Sequence, residues 1–218
     1  GFLVNKNKYN ENSIIAEFFT ENNGKVSGII FGATSTKIKN FLFIGNLFNI
    51  QFNAKNPNRA GYFKVEIEKI FTPYYLEDKI KLNCILYSLN LIKILTVENQ
   101  TNKKIFDQLY QLFELFKSED WIKKFIFWEL EMIKLVGYDI NFLDYIDKNK
   151  MLNNETYVPT FDGSKKIPSF LLRKNSSKTT NEELKDGLKI VGDFLNKSVL
   201  IPNNINYPTS RNEFIKLI

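Results

Sequence analysis

Residues 62–71 hold the most informative pattern in this sequence. Apolar and charged side chains alternate there one by one: Phe63, Lys64, Val65, Glu66, Ile67 and Glu68. A period of two residues is typical of a β-strand that has one face in a core and the other in water. Because a lone strand cannot bury its apolar face, the chain must supply further strands to pair with it.

Four more short apolar runs precede this one, and the five together predict strands at residues 2–8, 13–20, 25–31, 42–53 and 62–71. Gly45-Asn46 interrupts the fourth run and predicts a bulge or bend that lets one strand serve two sides of a barrel. Five strands of this length predict a small Greek-key barrel of the oligonucleotide/oligosaccharide-binding (OB) type. A barrel like that of Src-homology-3 domains, or a small sandwich, fits the pattern almost as well.

The periodicity changes after Thr72-Pro73. Apolar residues then recur at helical spacing, which predicts a buried helix from near Tyr75, an amphipathic helix ending near Lys117 and a third that Ser118 caps. Thr180 and Glu183 have the spacing of a capping box at the start of a later helix. The predicted fold is therefore α+β: an OB-like barrel in residues 1–72, then a helical domain in residues 73–218 with an irregular excursion at residues 143–175.

The composition excludes several classes of site. The chain has no histidine and one cysteine, Cys84, so it holds neither an intrachain disulfide nor a catalytic triad built on histidine. No carboxylates stand at a spacing that favours a metal site or an acid/base pair. We therefore predict no enzyme activity, no metal and no cofactor. No apolar run is long enough to span a membrane, which favours a cytoplasmic protein.

The positive charge is concentrated in the predicted barrel. Residues 1–72 hold nine basic and five acidic side chains, so they carry +4 of the net charge of +6. Such an excess indicates a polyanionic partner, although it also keeps a protein soluble. The candidate phosphate-binding residues lie in predicted loops: Lys25, Lys37, Lys39, Lys55 and Arg59. Solvated loop lysines without a ligand are the alternative interpretation.

Exposed aromatic rings offer a second route to nucleic-acid affinity, because bases stack on them. Five rings in the predicted barrel are available: Phe31, Phe41, Phe43, Phe48 and Tyr62. The alternation does not identify which of them face water, so none is assigned to a site.

Two parts of the chain resemble a known family. The front carries Gly1-Phe2-Leu3-Val4, Tyr9-Asn10-Glu11-Asn12-Ser13, Phe19-Thr20 and Gly24-Lys25, and the third helix carries an aromatic-Glu-Leu…Gly-Tyr pattern from Trp128 to Tyr138. This order and spacing resemble the bacterial recombination mediator family RecO. The resemblance covers most of the chain.

The resemblance implies a definite set of activities and partners. RecO-like proteins bind single- and double-stranded DNA and anneal complementary strands. They engage the acidic C-terminal tail of single-stranded DNA-binding protein, and with RecR they help load the RecA recombinase. The resemblance thus implies a bacterial protein of the nucleoid that acts in recombinational repair without breaking bonds. An RNA-binding or ribosome-associated barrel protein remains the alternative.

The chain departs from the family pattern at three places. Many members carry four zinc-binding cysteines after the Gly-Tyr signature, but residues 144–170 contain none. Gly32-Ala33-Thr34 stands where the family has Gly-Ala-Arg, and Phe127 stands where a basic residue often precedes the aromatic-Glu pair. We therefore place the candidate tail-binding site on an apolar surface with cations at its rim, at Leu109, Phe113, Lys123, Lys124 and Phe127. A plain helical surface is the alternative.

Overall fold

A computed structural model describes residues 1–54, 61–140, 157–160, 163–172 and 179–218. The strands of its barrel are β1 (Phe2–Asn10), β2 (Ser13–Thr20), β3 (Gly24–Phe31), β4 (Leu47–Asn53) and β5 (Tyr62–Lys69). A short helix, α1 (Thr36–Lys39), joins β3 to β4 in the stretch predicted as a loop. The longer helices are α2 (Lys79–Leu95), α3 (Lys103–Leu115), α4 (Trp121–Leu135), α6 (Asn181–Leu195) and α7 (Thr209–Leu217). Shorter elements are a hairpin, β6 (Tyr157–Thr160) and β7 (Gly163–Lys166), and a single turn, α5 (Ser169–Leu172). There are also 3-10 turns at Thr72–Tyr75 and Ile201–Asn203, and a π-helical turn at Asn196–Leu200.

The five barrel strands among the described residues close in the order β1-β2-β3-β5-β4. Neighbours pair antiparallel except for β3 and β5, which run parallel and meet at Ile29 and Tyr62. Phe2 on β1 pairs with Leu47 on β4 and completes the circuit. This closed barrel followed by helices confirms the predicted α+β fold with an OB-like barrel, and it excludes the sandwich.

Large apolar side chains fill the barrel. The core residues are Leu3, Ala16, Phe18, Ile30, Ala33, Leu42, Phe48 and Phe63. The ring of Phe18 meets the rings of Phe48 and Phe63 edge-on, with centroids 5.7 Å and 5.1 Å away. Edge-to-face contacts of this kind suit the charge distribution of aromatic rings and fix the packing of the interior.

The prediction for the fourth strand was wrong at its beginning. Residues 42–46 are not a strand, and β4 starts only at Leu47. The reason is Asn46, which is fully buried and uses its side chain to join two distant segments. Its Oδ1 accepts hydrogen bonds from the backbone N–H groups of Phe71 and Thr72, at 2.9 Å and 3.3 Å. Its Nδ2 donates to the carbonyl of Phe41 at 2.9 Å, so residues 42–46 follow a bend that ties β1, β4 and β5 together.

Gly45 makes this bend possible. Its φ of +89° lies in the left-handed region that favours glycine. A Cβ atom at this position would lie 2.4 Å from Thr72 Oγ1 and 3.3 Å from the side chains of Leu89 and Phe113. The chain therefore needs glycine here for both its backbone conformation and its close packing.

The predicted helix caps had different outcomes. The capping box at Thr180 and Glu183 is present at the start of α6, with both reciprocal hydrogen bonds. The prediction of Ser118 as the N-cap of α4 was wrong. That helix begins one residue after Asp120, because the hydroxyl of Ser118 donates back to the carbonyl of Leu115.

The described chain divides into two compact units. The barrel unit comprises residues 1–113 with Leu217, and the helical unit comprises residues 114–216 with Ile218. In the barrel unit, an aromatic cluster lies outside the barrel core and consists of Phe2, Phe71, Phe106, Tyr110 and Phe113. The domain boundary predicted near residue 72 stays a proposal. None of the helices in the described ranges has both the length and the hydropathy that crossing a membrane requires.

A buried ion pair lies in the core of the helical unit. Arg211 on α7 and Glu129 on α4 are both fully buried, and two hydrogen bonds of 2.9 Å join the guanidinium to the carboxylate. Arg211 also donates to the carbonyl of Leu188 and the hydroxyl of Tyr207. Glu129 therefore has a structural role, whereas Glu131, two residues further along the same helix, lies on another face and is exposed.

We expect Asn46→Leu to destabilise the protein by at least about 2 kcal/mol, because each buried N–H group left without a partner costs about 1–3 kcal/mol. Urea unfolding followed by far-ultraviolet circular dichroism measures this loss. Asn49→Leu, at an exposed position of β4, is the matched control and should change the midpoint little. Equal midpoints for the two variants would contradict the role assigned to Asn46.

We expect Arg211→Met to cost about 3–5 kcal/mol, because it leaves the carboxylate of Glu129 buried without its counter-ion. Adding Glu129→Leu should recover much of this loss, since the double variant removes both charges. Both tryptophans, Trp121 and Trp128, lie in the helical unit, so their fluorescence during urea unfolding reports on it directly. Lys216→Met on α7, where the lysine is exposed, is the control. A double variant as unstable as Arg211→Met would show that the charge left without a partner is not the cause.

Candidate nucleic-acid interface

The β1–β2 turn and the segment after β3 leave the barrel side by side. We call this region, residues 11–12 and 32–40, the loop end. The backbone N–H of Ala33 donates to the carbonyl of Asn12 at 3.0 Å, and the hydroxyl of Thr34 donates to the side-chain oxygen of the same asparagine. These bonds fix the path of the chain into α1.

α1 presents two of the predicted phosphate-binding lysines to solvent. Ile38 packs against the barrel core, and Lys37 and Lys39 flank it on exposed sides of the helix. Within the described ranges, neither lysine forms an ion pair with a carboxylate. Two cations that no anion neutralises, held on a short fixed helix, are suited to contact phosphate oxygens.

The structure does not bring Lys25 to this region. Lys25 lies near the beginning of β3, and the loop end follows Phe31, about 20 Å further along the strand. Its ammonium donates to the carbonyls of Lys93 at 2.8 Å and Thr96 at 2.5 Å, where it caps the end of α2. Burial lowers the pKa of this ammonium from its ordinary value. Lys25 therefore has a structural role, and we do not include it in the candidate phosphate-binding site.

Two other predicted phosphate-binding residues, Lys55 and Arg59, lie outside the described residues. The strands on either side of them, β4 and β5, end at Asn53 and begin at Tyr62. The assignment of Lys55 and Arg59 to the site stays a prediction.

Next to the loop end, exposed Ile15 and Phe31 lie with half-buried Tyr62 on the outer face of the barrel. We call Ile15, Phe31 and Tyr62 the outer-face patch. Ile15 pairs with Ile29, and Ile29 pairs with Tyr62, so these residues share one face of three adjacent strands. Phe31 is 56% exposed and Ile15 is 37% exposed, and the rings of Phe31 and Tyr62 lie 5.8 Å apart. Of the other rings considered from the sequence, Phe48 is buried in the core, and Phe41 and Phe43 are half-buried.

Ile15 was not predicted from the sequence as a site residue. Its position in the strand could have identified it. Glu17 lies two residues away in β2, so the two side chains share one face of the strand. An isoleucine on the polar face of an alternating strand is the kind of exposed apolar residue that calls for an explanation.

A cleft of about 880 Å³ lies in the barrel unit beside the β2–β3 turn. Its charged side chains are four carboxylates, from Glu21, Glu68, Glu98 and Asp107, and no lysine or arginine of the described chain lines it. A polyanion would be repelled from such a cleft. This cleft is therefore unsuited to nucleic acid, and the exposed loop end is the better candidate.

The residues predicted to bind a protein tail occupy different places. Leu109 and Phe113 on α3 are buried inside the barrel unit, where Phe113 stacks on Phe71 with ring centroids 4.2 Å apart. Their helical spacing in the sequence, on one apolar face of α3, already indicated that they are buried. The structure assigns them to packing, so they do not supply an accessible binding surface.

The other three residues of that prediction lie on α4 in the helical unit. Phe127 is half-buried and meets the ring of Phe170 edge-on at 6.1 Å. The ammonium of Lys123 lies 5.6 Å from the centre of the same ring. Lys124 is exposed and pairs with Asp120 at 2.7 Å. The structure thus brings Lys123 and Phe127 together around Phe170. Within the described ranges, no cluster of acidic, histidine or cysteine side chains is suited to hold a metal ion.

Comparison with known proteins identifies the family. Residues 1–71 match the model "Recombination protein O N terminal", and residues 76–204 match "Recombination protein O C terminal". Similar relatives named DNA repair protein RecO come from Rickettsia canadensis (27% identity over 100% of this chain and 94% of the relative), Wolbachia pipientis wMel (23%, 100% and 98%) and Rhodospirillum centenum (21%, 98% and 90%). The predicted resemblance is confirmed, and this chain belongs to the RecO family of DNA repair and recombination proteins.

Proposed function

We propose that this chain is a non-enzymatic mediator of recombinational DNA repair. It binds single- and double-stranded DNA, anneals complementary strands, and helps load recombinase onto single strands that are covered by single-stranded DNA-binding protein. The observation that carries this proposal is the pair of exposed cations, Lys37 and Lys39, at the loop end of a barrel in a chain that RecO models match over residues 1–71 and 76–204.

The loop end supports phosphate contact by more than charge. Ser35 and Thr36 expose their side chains beside the two lysines, so hydroxyl groups and ammonium groups face solvent together. Contacts of this kind hold a sugar-phosphate chain without reading its sequence. A mediator that must anneal any pair of complementary strands needs this lack of sequence preference.

A protein-docking site in the helical unit is the second part of the proposal. The tail of single-stranded DNA-binding protein is acidic and apolar, and it requires an apolar surface with a cation beside it. The half-buried side chains of Lys123 and Phe127 supply that combination above the buried ring of Phe170. Lys124 adds an exposed cation, since surface ion pairs such as the one with Asp120 are weak and exchange readily. Membership of the family supports cooperation with RecR in the bacterial nucleoid.

We expect the charge reversal Lys37→Glu/Lys39→Glu to weaken binding to single-stranded DNA and to flatten its salt dependence. Each phosphate contact on a single strand contributes about 0.7 to the slope of log affinity against log salt, so losing two contacts lowers the slope by about 1.4. Fluorescence anisotropy of a labelled oligonucleotide at several salt concentrations measures both effects.

The control for this variant is Lys79→Glu/Lys104→Glu. It changes the net charge equally, but both lysines are exposed on α2 and α3 rather than at the loop end. If the two double variants lose affinity and slope to the same extent, the effect is one of net charge and the loop end is not the site.

We expect Lys123→Glu to weaken binding of a peptide with the acidic tail sequence by about tenfold, because a hydrogen bond to a charged group contributes about 1.5–3 kcal/mol. The same variant should slow annealing of strands coated with single-stranded DNA-binding protein, and leave annealing of bare strands unchanged. Lys134→Glu, at an exposed position of the same helix, is the control. If the wild-type protein anneals strands coated with tailless single-stranded DNA-binding protein as fast as strands coated with the complete protein, it does not recognise the tail.

A further inference from the structure

We propose that the outer-face patch is a stacking platform for unpaired bases, and that it makes the site prefer single strands over duplex DNA. This inference rests on the proposed function and deepens it. The lysines of the loop end account for holding the backbone, and the patch accounts for contact with the bases.

The exposure of the patch calls for a ligand. Single exposed apolar residues are ordinary on protein surfaces, but here the exposed side chains of Ile15 and Phe31 lie together with half-buried Tyr62 on three adjacent strands. Phe31 is 56% exposed although it ends a strand whose neighbouring residue, Ile30, is buried in the core. Its ring lies 5.8 Å from that of Tyr62 at an angle of 53°, which leaves ring surface available to a flat partner.

The surroundings of the patch specify the partner. Phe31 directly precedes the loop end with Lys37 and Lys39, and Lys64 is exposed two residues after Tyr62 on the same side of β5. Apolar rings beside cations suit a ligand that has flat apolar faces on a polyanionic chain. Single-stranded nucleic acid fits this description, since its bases are free to leave the stack. The bases of a duplex are stacked on each other, so duplex DNA can reach the lysines but not the rings.

The position in the fold agrees with this assignment. The patch lies across β2 and β3 and the start of β5. The face of strands 2 and 3 is where barrels of the OB type bind oligonucleotides. The acidic cleft beside the β2–β3 turn lies at the other end of these strands, and it confines a polyanion to the half that carries the patch.

The test compares wild type with Phe31→Ala, Tyr62→Ala and Phe31→Trp. The probes are an oligothymidine, an abasic strand of the same length that keeps the phosphates, and a duplex. We expect either alanine variant to bind oligothymidine about 5-fold to 100-fold more weakly, because one base loses its stacking partner. Affinity for the abasic strand and the duplex should stay the same, and so should the salt slope, because no phosphate contact is lost. Phe31→Trp should restore binding.

Tyr74→Ala is the matched control, because Tyr74 is 78% exposed but lies in the turn after β5, away from the patch. Melting followed by circular dichroism confirms that each variant is folded. Alanine variants that bind oligothymidine as wild type does, or that lose affinity for the abasic strand equally, would overturn the inference while the proposed function stands. If wild type binds none of the three probes, both proposals fail.

Discussion

The architecture depends on the parallel contact between β3 and β5, without which the barrel would be open on this side. β3 and β5 meet in parallel at Ile29 and Tyr62, and the backbone N–H of Ile29 donates to the carbonyl of Gly61 at 2.9 Å. A Cβ atom on Gly28 would lie 2.7 Å from the ring of Phe63, so glycine at this position allows the strands to approach. Closure pairs strands whose edges would otherwise be open. It also brings together two strands that are distant in sequence, and this is what places Phe31 beside Tyr62.

The same cation chemistry has two different uses in the barrel unit. Lys25 and Lys37 look alike in the sequence, because each follows a glycine-containing segment between apolar runs. The ammonium of Lys25 donates hydrogen bonds to carbonyls at the end of α2, and so holds this helix against the strands. Lys37 extends from a short helix into solvent, where its charge is available to a ligand. Distance along β3, rather than local sequence, separates the structural lysine from the functional candidate.

Local patterns predicted the parts of the fold that local physics controls. The alternation in residues 62–71 identified β5, and the spacing of Thr180 and Glu183 identified the start of α6. Residues 42–46 were misread because the buried side chain of Asn46 bonds to residues 25 and 26 positions away, and no local pattern shows that. Of the candidate site, the sequence supplied the exposed lysines and the rings, but not their grouping. Grouping depends on strand register, which alternation alone does not fix.

The acidic cleft has a kinetic consequence. Four carboxylates line the cleft beside the β2–β3 turn, one of them paired with Lys103, whereas Lys37 and Lys39, which form no ion pair within the described ranges, stand past the far end of β3. A polyanion that approaches the barrel unit is repelled at the acidic end and attracted at the basic end before any contact forms. Collisions in the wrong orientation therefore become rarer.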